Sequence, residues 1–83
     1  MDLKKAILEM QEILHDLKIL DKKADHIVLL SKSYTNDAMH FLKKGNKNDA
    51  LEAYAIGWAY IDALLHLKMV EVNNWDLFTV EKP

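Results

Sequence analysis

Eighty-three residues, with eleven lysines, no arginine, thirteen carboxylates and no cysteine, carry a formal charge of −2. Without cysteine there is no disulfide, thiolate metal site or thiol nucleophile, which fits a cytoplasmic location. Without arginine or a basic excess, no nucleic-acid partner is expected.

The chain opens MDLKKAILEMQEILHD, mixing charged and apolar residues, and reads as folded protein rather than as a signal peptide. Asp2 suits a helix N-cap. Leu3, Ala6, Met10, Ile13, Leu17 and Leu20 recur at three-four spacing, with Ile7 and Leu14 widening the stripe. The same register runs on through Ala24, Ile27, Ser31, Tyr34, Ala38 and Phe41 without a glycine or proline. Two readings compete for it. A continuous helix of about 42 residues would be about 60 Å long and would need a dimer to cover it. A turn within Lys18–Lys23 gives two helices instead, and this is favoured because Asp21 can cap a second helix and Lys22-Lys23 makes a poor seam.

Lys43-Lys44-Gly45 reads as a helix C-terminus, with cations in the last turn and glycine just past it. Asn46 then caps the next helix, and Asp49 is placed to complete a capping box. The central helix follows, DALEAYAIGWAYIDALLHLK. Ala50, Tyr54, Gly57, Ile61 and Leu64 fall in the middle of its apolar face, flanked by Leu51, Trp58 and Leu65 on one side and Tyr60 and Leu67 on the other. That arc is about 200° wide, against about 100° for an ordinary surface helix. Its longest uncharged run, Ala53–Ile61, is far short of the roughly 20 residues a membrane span needs, so no membrane partner is expected. After Lys68 come β-branched residues around Asn73-Asn74, which predict an extended tail or a marginal hairpin, with Trp75, Leu77 and Phe78 against the bundle or a second subunit. The expected fold is all-α: a three-helix up-and-down bundle, helices over about 2–18, 22–44 and 46–69, with a short extended C-terminal tail over 70–83.

Catalytic machinery is not expected. Tyr34, Asp37 and His40 could form a general-base arrangement, but no nucleophile or glycine-rich phosphate loop accompanies them. Asp62 and His66 at i,i+4 offer two metal ligands where zinc needs at least three, so no metal or other cofactor is expected. Tyr54, Trp58 and Tyr60 could stack a ring, although aromatics at helical spacing ordinarily fill a core. The outer stripe of the central helix, Ala55, Ala59 and Ala63, would let another helix approach closely, or simply favours helix.

Tyr34-x-x-Asp37-Ala38-x-x-Phe41-Leu42-x-x-Gly45-Asn46, then Ala50 and Ile61-Asp62-Ala63, with the ending Leu77-Phe78-Thr79-Val80, resembles the short archaeal proteins of domain-of-unknown-function family 357. Asn46 replaces that family's acidic turn residue. Ile56-Gly57-Trp58-Ala59 stands where its pattern has Tyr-Ala-x-Gly, unless Tyr54-Ala55-Ile56-Gly57 is the match shifted by two. The resemblance implies a three-helix bundle with no known activity and draws attention to Asp37 and Asp62. The expected role is a non-enzymatic interaction or assembly module, a homodimer or a binder of another protein, using Ala55, Ala59 and Ala63, the Asp62–His66 pair, or Trp75 and Phe78. The alternative is a small-molecule or nucleotide-binding accessory domain with Tyr54, Trp58, Asp37 or Asp62 as contacts.

Overall fold

Asp2 starts the first helix as its chemistry predicts: its carboxylate accepts the Lys5 backbone N–H at 3.1 Å. A computed structural model describes residues 1–82, so Pro83, the last residue of the predicted tail, lies outside the described residues. The chain is all-α in class, with α1 (Leu3–Asp16), α2 (Asp25–Lys43) and α3 (Lys47–His66), plus a two-stranded antiparallel sheet of β1 (Lys18–Ile19) and β2 (Val70–Glu71). Short 3-10 turns fill Lys22–Ala24 and Trp75–Leu77.

The α1–α2 connection is a turn, and the longest dimension, 37 Å, leaves no room for a helix of about 60 Å. Leu17 leaves the helix with ψ 140°, and β1 then pairs Lys18 with Glu71 and Ile19 with Val70. Leu20 and Asp21 both donate their N–H groups to the Met69 carbonyl, at 2.8 and 3.2 Å. Asp21 accepts from the Lys23 N–H at 2.9 Å, so the predicted cap starts the 3-10 turn that leads into α2.

Gly45 closes α2 with φ +83°, the left-handed conformation that glycine adopts at little cost. The Asn46 N–H reaches back to the Phe41 carbonyl at 2.9 Å and the Gly45 N–H to that of Leu42 at 3.0 Å, the paired bonds of a Schellman motif. This corrects the expected capping box. Asn46 holds the N-cap position of α3 without a side-chain cap bond, and its N–H, which Asp49 would have had to accept, is already spent on Phe41.

α2 and α3 form a tightly packed antiparallel hairpin. Gly57 is the reason they come so close: a Cβ there would stand 2.7 Å from Thr35 Oγ1 and 3.1 Å from the Ser31 carbonyl. In the space so created, Ser31 Oγ donates to the Gly57 carbonyl at 2.7 Å, out of reach of water. Thr35 Oγ1 is buried beside it without a hydrogen-bond partner among the described residues. α1 lays Ile7, Met10, Ile13 and Leu14 into the core with Val28, Ala38, Ile61, Leu64 and Leu65.

The predicted centre of α3 is buried, as are Ala53 and Leu65. Two predicted flanks are not: Leu51 is 46% exposed and Leu67 63%. The neighbouring elements close over the middle of the arc and leave its rims wet, and Leu67 is the C-cap, beyond the last helical residue. α3 also ends before the predicted position 69, because Lys68 turns left-handed at φ +58°. The Met69 N–H then bonds the Leu64 carbonyl and the Lys68 N–H that of Leu65, both at 3.0 Å, a second Schellman motif without glycine. The tail is not a hairpin about Asn73-Asn74. Val70 and Glu71 find their partner strand in the α1–α2 connection, while Asn74 leads into the Trp75–Leu77 turn. The tail is therefore only partly extended, and Phe78 is buried against the helices.

Candidate functional site

The tail converges on three side chains of α3, one turn apart. Trp58, Asp62 and His66 recur every four residues and so share one strip of the helix. Trp58 Nε1 donates to the Leu77 carbonyl at 3.0 Å, and its ring stacks on Phe78 with centroids 5.8 Å apart and planes 11° from parallel. Asp62 takes both donors of Thr79: the backbone N–H at 2.8 Å on Oδ1 and the hydroxyl at 2.7 Å on Oδ2. His66 Nε2 lies 2.7 Å from the same hydroxyl oxygen.

The direction of these bonds decides what the group can do. Since Thr79 gives its hydroxyl proton to Asp62, His66 must donate from Nε2 and acts as a donor toward the oxygen. A general base would need the opposite, a bare nitrogen accepting the hydroxyl proton. Asp62, His66 and Thr79 form a clasp that fixes the tail to α3, and His66 Nε2 stands 3.7 Å from Asp62 Oδ2. Trp75, the other aromatic singled out in the tail, is half-buried against the core.

Tyr54 is buried on the face of α3 toward α1, and burial, with a smaller push from the Glu9 carboxylate, raises its phenol above the ordinary value. The remaining candidates lie on the open side. Ala55, Ala59 and Ala63 are all exposed, and Leu51 and Leu67 continue their four-residue steps at either end. Asp37 is exposed and makes no hydrogen bond or ion pair among the described residues, so it neither bridges the helices nor orients His40, itself exposed. Its neighbour Tyr34 packs its ring against Tyr60, centroids 6.0 Å apart. Tyr34 and Asp37 line a shallow groove between α2 and α3 with Phe41, Asp49, Glu52 and Ile56.

Two contributors carried no local signal. Thr79 meets Asp62 across a 17-residue separation, and Ser31 meets Gly57 across 26, so neither pairing has a helical or strand period. A glycine inside a long apolar helix was the one hint of a close crossing.

Fold and surfaces together define a small helical domain whose polar side chains hold its own tail and whose open faces lie on the α2–α3 hairpin. The sequence model of the family described as "Protein of unknown function (DUF357)" matches residues 2–70, and the chain belongs to that family. It is also similar to the vacuolar-sorting protein SNF7 of Eremothecium gossypii, 37% identical over 79 residues. That alignment takes in 94% of this chain but only 32% of the relative, so the chain spans about a third of that protein's length. No solved structure matches the chain. No helix is long and apolar enough to cross a membrane among the described residues.

Proposed function

We propose that this protein is a non-enzymatic interaction module, an up-and-down bundle that self-associates through the outer face of α3. One observation carries the reading. Leu51, Ala55, Ala59, Ala63 and Leu67 form a single exposed i,i+4 ridge, with large apolar side chains at its ends and methyl groups between. Such ridges pack into the grooves of a facing helix, and alanines permit a close axis-to-axis distance. The likeness to part of a protein named for vacuolar sorting, rather than for a chemical conversion, supports a non-enzymatic role. So does the clasp, which uses Asp62 and His66 to hold the protein's own tail. The alternative, an accessory domain binding a small molecule or nucleotide, has less support, because Tyr54 is buried and Trp58 and Asp62 are engaged by the protein itself.

Sedimentation over a concentration series tests the proposal. A reversible dimer is expected, and Ala59→Lys, at an exposed position, should return it to monomer while leaving the melting temperature unchanged at high dilution, where both proteins are monomeric. A strict monomer at the highest attainable concentration would refute self-association.

A further inference from the structure

The α2–α3 hairpin has two flanks. One is closed by α1 and its large aliphatic side chains. The other carries no further element among the described residues, yet the residues along it are not those of an ordinary wet surface. Tyr34 and Phe41 of α2 and Ile56 of α3 are all half-buried there, and Tyr60 extends the apolar wall through its contact with Tyr34. Along the same groove stand three exposed carboxylates, Asp37, Asp49 and Glu52, and among the described residues no lysine or histidine lines it. None of the three is in an ion pair among the described residues, where the pairs found are His15–Asp16 and His66–Asp62.

The geometry points to this groove as the docking site for a cationic amphipathic helix of another protein. The apolar wall supplies the seat and the carboxylates supply the selection, the two interspersed along each helix. Asp37 and Phe41 are one turn apart on α2, while Asp49, Glu52 and Ile56 take successive turns of α3, spanning about 10 Å. A helix laid lengthwise in the groove presents side chains at the same repeat, with apolar residues at i, i+4 and i+7 facing the aromatics and lysines or arginines beside them. Other occupants fit less well. The carboxylates are spread out rather than convergent, so no set of three or more metal-type ligands comes together among the described residues. A wall bearing three negative charges and no positive one repels nucleic acid and anionic lipid surfaces alike. Glu52 and Ile56 of the groove adjoin Ala55 and Ala59 of the ridge, so the test is run at protein concentrations below those at which the ridge self-associates.

The intact protein, isotopically labelled, is titrated with a synthetic leucine–lysine amphipathic helical peptide, with a leucine–glutamate peptide of the same pattern as control. The lysine peptide is expected to bind, to shift the amide signals of Tyr34, Asp37, Phe41, Glu52 and Ile56, and to weaken as salt is raised. The double variant Asp37→Asn, Glu52→Gln, isosteric and exposed, should lower the affinity by about tenfold, as loss of complementary charge does. Neutralising Glu71 and Glu81 instead should leave it unchanged, which separates the groove from general attraction to an acidic protein. Failure to bind, shifts confined to another surface, equal binding of the glutamate peptide, or indifference to the Asp37 and Glu52 variant would each overturn the proposal.

Discussion

α3 meets its two helical neighbours by different means. Against α2 the contact is made through what is missing: Gly57 lets the backbones close, Ser31 bonds across, and Thr35 fills the remaining space. Toward α1 the core is filled with volume, namely Ile7, Met10, Ile13 and Leu14. The first contact is specified by shape and fails when atoms are added. The second rests on buried apolar area and fails when atoms are removed.

The largest expected effect breaks the second contact. Met10, fully buried, should cost about 3 kcal/mol when truncated to alanine, whereas Met10→Leu, which nearly conserves volume, should cost less than about 1.5 kcal/mol. Denaturant unfolding measures both, and equal losses would show that this side is as shape-sensitive as the hairpin. On the hairpin the sign of the volume change reverses. Gly57→Ala should destabilise by about 1–3 kcal/mol through overpacking, despite alanine's better helix propensity. Thr35→Ala removes the oxygen that the new methyl group would strike, so the double variant should recover part of the loss. A double-mutant cycle with no coupling would place the strain elsewhere.

Removing a clasp bond should do less. Thr79→Val deletes the hydroxyl that joins Asp62 to His66 and should cost about 1 kcal/mol. The loss should register as faster amide exchange in the tail while α2 and α3 keep their protection. The two Schellman turns differ in the opposite way, with the same bonds but different residues at the left-handed position. Lys68→Gly should therefore stabilise by about 1 kcal/mol and Gly45→Ala should destabilise by a similar amount, read as opposite shifts in melting temperature.

The smallest effect is confined to alkaline pH. Because the Tyr54 phenol is raised in the folded state, the unfolded chain releases that proton first as pH climbs past about 10. The resulting stability is fully present below that pH and is lost as pH rises through the folded-state value. Tyr54→Phe should flatten the alkaline decline relative to the parent, and identical profiles would assign the decline to other groups.

Local features were legible where one segment suffices to set them. Asp2 and Asp21 capped, Gly45 turned left-handed, and the middle of the α3 face was buried, because caps, turns and helical periodicity depend on neighbours within about four residues. Asp37 and Asp62 both drew attention, but nothing local separated their fates: one is exposed and makes no hydrogen bond or ion pair among the described residues, the other is taken by Thr79. The Lys68 turn was hidden because lysine gives no sign of a left-handed backbone, and the geometry comes from the tail's need to reach β1.

By itself, then, the sequence determined the apolar helical stretches, favoured a break between the first two helices, and determined the sharp turn between the last two and the want of arginine and cysteine that narrows the chemistry. Only the tertiary structure decided that the tail pairs with the α1–α2 connection, that Asp62 and His66 serve as its clasp, and which flank of the hairpin remains open. Those outcomes depend on contacts between residues 13 or more positions apart, where burial, loop closure and hydrogen-bond geometry must be satisfied together, and no short-range pattern encodes the solution.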